Sequence, residues 1–259
     1  MFDFHMHSMV SFDGHDTSLA MAKAAAAKGL KEICFTDHLD YVPDMWYMAF
    51  DTAVYNAAYD GLEVPGLTIR RGMEFGLTPD NQEQFRQDLQ RRPFDFVIGS
   101  VHIVDGVDVY FQPYWEGKTV AQAYERYLQE TLACVRNHEG FDVLGHLTYI
   151  SKARANPTWE PVRYEDFADL ADEILKTLVT KGIGLEINTS GIARSGDFLP
   201  PRRFLERYRE LGGEIVTVGS DAHTADRVGD RAGEALAILK EIFGHVCTFA
   251  DRKPIFHTL

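Results

Sequence analysis

Cysteine is scarce in this 259-residue chain, with only Cys34, Cys134 and Cys247, and none stands in a C-x-x-C spacing. An odd number of distant cysteines gives no disulfide framework and no thiolate zinc site, and it suits a reducing cytoplasm. Long apolar runs are missing as well. No stretch reaches the roughly 18 residues a membrane-spanning helix needs. The N-terminus lacks a basic segment followed by an apolar one, and a strand expected from Phe2 leaves no room for a cleaved leader. Positive charge is in deficit: 26 Lys and Arg stand against 39 Asp and Glu, for a net charge of −13. That balance argues against a general nucleic-acid or anionic-membrane surface. No repeat, low-complexity tract or Pro/Gly/Ser-rich linker divides the sequence, so one domain over residues 1–259 is expected, in an oligomeric state the sequence leaves open.

What is present is an alternation of strand-like and helix-like segments, the pattern of βα units around a parallel sheet. Strands are expected at Phe2 to His7, Lys31 to Thr36, Leu67 to Phe75, Phe94 to Val101, Asp142 to Leu147, Gly184 to Asn188 and Glu214 to Gly219. Helices are expected at Ser18 to Lys28, capped by Thr17, and near Asp51 to Tyr59, Pro79 to Gln90, Val120 to Asn137, Tyr164 to Lys181, Pro201 to Leu211 and Ala232 to Phe243. Seven strands in this length point to an α/β barrel of about seven or eight βα units, with its reactive groups at the C-terminal ends of the strands.

Six of the ten histidines fall at such strand ends. A strand turns residues i and i+2 to one face, so His5 and His7 can share an ion, and Asp221 and His223 repeat the spacing. Between them His38, Glu74, His102 and His146 each follow a β-branched or aromatic run. Imidazole and carboxylate without thiolate suit Zn, Mn or Fe. Asp13 could complete the set or, with Gly14, merely make a turn, in which case His15 would replace or assist it. Asp37 should point away from His38 and orient a ligand indirectly. His138, His245 and His257 have no such placement and are expected at the surface.

A chain carrying His5, His7, Asp13, His38, Glu74, His102, His146, Asp221 and His223 in this order resembles, from end to end, the PHP (polymerase and histidinol phosphatase) family of metal-dependent phosphoesterases. The runs Phe35-Thr-Asp-His38, Ile98-Gly-Ser-Val-His102, Glu186-Ile-Asn-Thr-Ser-Gly191, Val218-Gly-Ser-Asp-Ala-His223 and Arg252-Lys-Pro254 are similar to its histidinol-phosphatase branch. The resemblance implies a distorted seven-stranded barrel and three divalent ions. His5, His7, Glu74 and Asp221 would hold the first, Glu74, His102 and His146 the second, and Asp13, His38 and His223 the third. It also implies phosphate-monoester hydrolysis, with Glu74, Asp221 and His223 at the chemistry and metal-activated water as nucleophile. General phosphoesterase activity on nucleotides, oligonucleotides or phosphotyrosine, or a non-catalytic polymerase-accessory module, are the competing readings.

Arg194, after the sixth strand, offers the planar fork that suits phosphate, and Arg154 or Lys152 could assist it. Asp105 and Asp108 could meet a substrate ammonium or simply be solvated. The long segments Leu39 to Gly66 and Ile103 to Lys118 leave strand C-termini and should wall the site. Their aromatics Trp46, Tyr47, Tyr110, Phe111, Tyr114 and Trp115 could contact a substrate ring or pack on the barrel rim.

Overall fold

The structure, a computed structural model, describes residues 1–41, 49 and 51–259. β1 (Phe2–Asp3) leads through α1 (Ser18–Ala27) to β2 (Glu32–Phe35) and the short β3 (His38–Leu39). α2 (Thr52–Tyr59) precedes β4 (Thr68–Gly76), and α3 (Gln82–Leu89) precedes β5 (Phe96–Ser100). A small hairpin, β6 (Ile103–Val104) with β7 (Val107–Asp108), and α4 (Gln112–Trp115) come before α5 (Val120–Asn137) and β8 (Val143–Leu144). Then follow α6 (Ala168–Lys181), β9 (Gly184–Asn188), α7 (Ile192–Ser195), α8 (Arg202–Glu210), β10 (Val216–Gly219) and α9 (Ala232–Ile242). A terminal hairpin of β11 (His245–Ala250) and β12 (Lys253–Thr258) ends the chain.

Local chemistry sets these boundaries where the sequence suggests it should. Thr17 caps α1 by accepting from Ala20 N, Asp51 caps α2 through Ala53 N and Val54 N, and Thr119 forms a reciprocal capping box with Gln122 at the start of α5. Gly182, with φ of 68°, ends α6 in the left-handed conformation. The expected spans of α5 and β9 match to the residue. The expected first strand is shorter: regular pairing stops at Asp3, and Met6 makes only an isolated bridge to Ala222.

Seven parallel strands run in the order β1-β2-β4-β5-β8-β9-β10, with β3 paired to β4 beyond the end of β2. Backbone bonds then bring the two edges together: Phe4 N donates to Val218 O, His7 N to Ala222 O and Asp221 N to His5 O, each at 2.8 Å. The result is the distorted, nearly closed (β/α)7 barrel expected from the sequence. β5 and β9 are buried along their whole length because helices cover one face and the barrel interior the other.

Two apolar clusters build the core. The larger lies between the strands and the helices. The smaller joins Phe4, Cys34, Phe96, Ile98 and Val143 to Cys247 and Phe249 of β11, so the terminal hairpin plugs the barrel's lower mouth. Its turn is stitched to the loops beneath β5 and β8: Arg252 N donates to Asp95 O at 2.9 Å, and Arg252 Nε to Asp142 Oδ2 at 2.6 Å. Sequence periodicity does not reveal this hairpin. Its tight turn uses Asp251 and Arg252 at φ of 48° and 64°, where Asn-Gly or Asp-Gly would have been the usual signal.

Candidate metal centre

The C-terminal strand ends converge on Glu74, a fully buried carboxylate on β4. Its Oε2 lies 3.2 Å from His5 Nε2, 3.4 Å from His7 Nε2 and 3.1 Å from His38 Nδ1. Its Oε1 lies 2.8 Å from His146 Nε2 and 3.4 Å from His102 Nε2. Asp221 Oδ1 closes the first group at 3.7 Å from His5 Nε2 and 3.3 Å from His7 Nε2. Ligand atoms around a tetrahedral ion with bonds of about 2.0–2.3 Å stand roughly 3.3–3.7 Å apart. The contacts of Glu74 with His7 and His102 and those of Asp221 fall in that range, and the contacts of Glu74 with His5, His38 and His146 are shorter, at 2.8–3.2 Å.

Unpartnered atoms in the same place support a metal. His5 Nε2, His7 Nε2, His38 Nδ1 and Glu74 Oε2 are buried and make no hydrogen bond among the described residues. Buried polar atoms without a hydrogen bond are costly, and coordination to cations in this cluster would remove that cost. The donor set of neutral imidazoles and carboxylates therefore fits divalent ions. A third group lies toward solvent, where Asp13 Oδ2 is 3.1 Å from His223 Nε2 and 3.7 Å from His38 Nε2. Asp13 thus stands beside His223 and His38, while His15 is exposed on the wall of the cavity.

Electrostatics follow from this crowding. Burial disfavours charge on His5, yet Glu186, Glu74 and Asp221 outweigh it and raise its pKa well above the ordinary histidine range. His38 rises to about 9: burial opposes its charge, but Glu74, Asp13 and Asp40 prevail. His7 drops to about 3, chiefly through burial and then through the neighbouring His38 and His223 rings. Glu74 and Asp221 remain ionised well below the usual carboxylate range, because the cations around them overcome the cost of burial.

Two buried carboxylates absent from the sequence-derived ligand set orient these rings. Glu186 Oε1 accepts from His5 Nδ1 at 2.7 Å, and its Oε2 accepts from His146 N at 2.7 Å. Asp40 Oδ1 meets His102 Nδ1 at 2.9 Å, and its Oδ2 lies 3.2 Å from His38 Nδ1. Both need glycine beside them: a Cβ on Gly219 would come within 2.0 Å of Glu186 Oε1, and one on Gly76 within 2.0 Å of Asp40 Oδ1. Asp37 works indirectly, as the sequence suggests. It accepts from Ser8 N at 2.8 Å and Ser11 Oγ at 3.0 Å, and Ser11 Oγ in turn accepts from His7 Nδ1 at 3.2 Å and His38 N at 3.0 Å.

Above the metal ligands opens a cavity of about 540 Å³, lined by residues that include Phe12, Asp108, Tyr110, Phe111, Tyr149, Lys152 and Arg194. Phe12 and Tyr149 carry no signal in the sequence that sets them apart from core aromatics. Arg154 is exposed and does not line the cavity, and Tyr114 and Trp115 are buried in the core instead. Trp46 and Tyr47 lie outside the described residues. Asp105 pairs with Arg126 at 2.6 Å on the surface, leaving Asp108 as the loop acid that faces the cavity.

Lys152 Nζ reaches Asp221 Oδ2 at 2.5 Å and Ser190 Oγ at 2.8 Å. Of the three histidines expected at the surface, one is placed otherwise. His138 is fully buried at the C-cap of α5, between Cys134 O and Asn81 Oδ1, while His245 and His257 are half-buried around the terminal hairpin. A histidine at a helix end can satisfy the last carbonyl, which strand-based reasoning overlooks.

Known proteins share this sequence and fold. The PHP domain family model matches residues 3–190. The histidinol-phosphatase of Lactococcus lactis is 32% identical, with 97% of this chain and 95% of that protein covered. A Clostridium acetobutylicum protein named "Probable histidinol-phosphatase" is 31% identical over 99% of this chain and 96% of its own length. A crystal structure of the Lactococcus lactis histidinol phosphate phosphatase, complexed with zinc, L-histidinol and phosphate, superposes with a TM-score of 0.88 at 29% identity and covers 98% of each chain. Family model, whole-length relatives and fold agree on one lineage, and the chain belongs to the PHP family.

Proposed function

We propose that this chain is a metal-dependent phosphatase that hydrolyses L-histidinol phosphate to L-histidinol and phosphate, a step in histidine biosynthesis. The observation that carries the reading is the convergence of Glu74, five neighbouring histidines and Asp221 beneath a cavity that also presents Arg194 and Lys152. A purely structural metal site would be closed by its ligands, whereas this one opens onto a space of substrate size. The relatives named histidinol-phosphatase support the choice of substrate.

In this reading three divalent ions, Zn, Mn or Fe, occupy the site. His5, His7, Glu74 and Asp221 would hold one, Glu74, His102 and His146 a second, and Asp13, His38 and His223 the third. Bound there, such ions supply water acidified enough to attack phosphorus near neutral pH and offset the charge of the phosphate. The chain's own residues position the ester. Arg194 presents a planar fork to the outer phosphate oxygens, and Lys152, already at the site through Asp221 and Ser190, adds a point charge. Asp108 faces the cavity as a partner for the substrate ammonium, and Tyr110, Phe111 and Tyr149 offer ring surfaces to an imidazole.

The test is phosphate release by protein reconstituted separately with Zn, Mn and Fe. The panel comprises L-histidinol phosphate, nucleotides, phosphotyrosine, p-nitrophenyl phosphate and a phosphodiester. Preference for histidinol phosphate supports the reading. Preference for a nucleotide or diester replaces it with a general phosphoesterase, and no turnover with any metal leaves a binding module.

A further inference from the structure

The mouth of the cavity holds an arrangement that metal coordination does not explain. The Arg194 guanidinium carbon lies 5.3 Å from the ring centre of Tyr110 and 5.7 Å from that of Trp159. Trp159 is 44% exposed at this mouth, with one ring face beside the guanidinium. Its backbone sits at φ of 55°, a left-handed conformation that a bulky residue rarely adopts. Strain of this kind persists only where the surroundings enforce it.

Those surroundings are identifiable. Asn156, almost fully buried, accepts from Trp159 N and Thr158 N at 3.2 Å each. Its own amide donates to Tyr124 OH at 2.7 Å and to Ser151 O at 3.2 Å, so the turn is anchored to α5 and to the segment after β8. One residue earlier, Ala155 N donates to Tyr110 O at 3.2 Å. The segment that leads into the Trp159 turn is therefore tied to the backbone of Tyr110. Tyr110 in turn lies within ring-contact distance of Tyr149, at 6.4 Å, and Tyr149 contacts the metal-ligand rings of His102 and His146 at 5.0 and 4.9 Å.

We propose that Trp159 is a positioning residue that, with Tyr110, holds the Arg194 guanidinium by cation–π contact so that its N–H edge is set to receive the substrate phosphate. The proposal rests on the reading of Arg194 as a phosphate-binding residue. An arginine on the four-residue α7 has many rotamers, and binding phosphate would otherwise cost the entropy of choosing one. Ring faces restrict the guanidinium without occupying its donors, because the cation–π contact uses the plane and leaves the edge free. Preorganisation of this kind lowers KM and leaves the chemical step untouched.

The experiment is a double-mutant cycle on metal-loaded protein. KM and kcat for L-histidinol phosphate and the inhibition constant for inorganic phosphate are measured for wild type, Trp159→Ala, Trp159→Phe, Arg194→Ala and the double variant Trp159→Ala/Arg194→Ala. Removing the indole should raise both KM and the phosphate inhibition constant about fivefold to tenfold, with kcat within about twofold, and Phe should restore most of the loss. In the Arg194→Ala background the Trp159→Ala change should add nothing. A Trp159→Ala variant indistinguishable from wild type, or one whose full effect persists without Arg194, overturns the proposal while the arginine reading stands. An Arg194→Ala variant with unchanged KM and unchanged phosphate inhibition instead removes the reading on which it rests.

Discussion

Glu186 Oε1 stands 2.7 Å from Nδ1 of His5, and that contact decides which nitrogen of the ring can bind a metal. Nδ1 donates to the carboxylate, so Nε2 keeps its lone pair toward Glu74 and Asp221. Glu186→Gln can preserve only part of this, because its amide nitrogen cannot also accept from His146 N. The variant should fold normally but bind metal about 10- to 100-fold more weakly, measured as residual metal after dialysis against a graded chelator series. Unaltered retention would show that the carboxylate does not tune the ring.

Glu74 faces five histidine rings, and its two oxygens face different groups of them. Glu74→Gln replaces one oxygen by a donor that faces histidine nitrogens needed as acceptors. Turnover should fall by more than about 100-fold while circular dichroism remains that of the wild type. Elemental analysis should also drop from close to three ions per chain. A wild-type protein that holds one ion reproducibly under metal-replete conditions would sink the three-ion assignment.

Protons and metal compete for the same nitrogens. Without metal, the His38 ring titrates at about 9 against an ordinary value of 6.5, a raised value. Its charge therefore contributes stability that is fully present below about 6.5 and is lost as pH rises through 9. Metal-free protein should lose thermal stability over that window, whereas the loaded protein should hold or gain. Metal uptake in weak buffer should release protons near pH 7, and acidification should drive the metal off. Uptake without proton release would contradict the carboxylate-stabilised rings.

His138 gives a separate pH effect far from the metal. Burial lowers its pKa below the ordinary 6.5. Above 6.5 both folded and unfolded forms are neutral. As pH falls below that value the unfolded chain binds a proton that the folded one resists, so stability declines toward acid. His138→Gln should flatten the part of the stability profile just below pH 6.5 in urea titrations, whatever its cost at pH 8.

Substrate choice can be read in numbers. If the cavity residues Asp108, Tyr110 and Tyr149 recognise the histidinol part, kcat/KM for histidinol phosphate should exceed that for p-nitrophenyl phosphate by at least about 100-fold, roughly 2.7 kcal/mol of differential transition-state binding. Equal efficiency on the two esters would leave the metal chemistry intact and remove the substrate assignment.

Much of this site was legible because strand alternation leaves a mark on the sequence. His5 and His7, or Asp221 and His223, two apart at a strand end, are visible before any coordinates. The residues that orient them were not. Asp40 and Glu186 sit among the same strand ends, but a carboxylate that grips a ligand ring and one that grips a metal share one composition and one periodicity. Only their distances tell them apart. The glycines that make room for them, Gly76 and Gly219, likewise resemble ordinary strand-end glycines until the neighbouring oxygen is seen. For Tyr114 and Trp115 the sequence left substrate contact and packing open, and a short helix that turns both into the core decides for packing.

The seam between β1 and β10 has a consequence for when this protein becomes an enzyme. Asp3 accepts from Ser220 N at 2.9 Å across 217 positions of sequence, and His5 O binds Asp221 N in the same seam. The cage around the first ion therefore does not exist in any N-terminal portion of the chain, however long, that stops short of β10. The apolar cluster beneath it is likewise completed only by Cys247 and Phe249 of the last hairpin. A nascent chain leaving the ribosome carries loose histidines for most of its synthesis and gains a metal cage only when its two ends meet. The seam closes through backbone hydrogen bonds of its own, so the arrival of β10, and not of any earlier histidine, sets the moment at which the cage can capture metal.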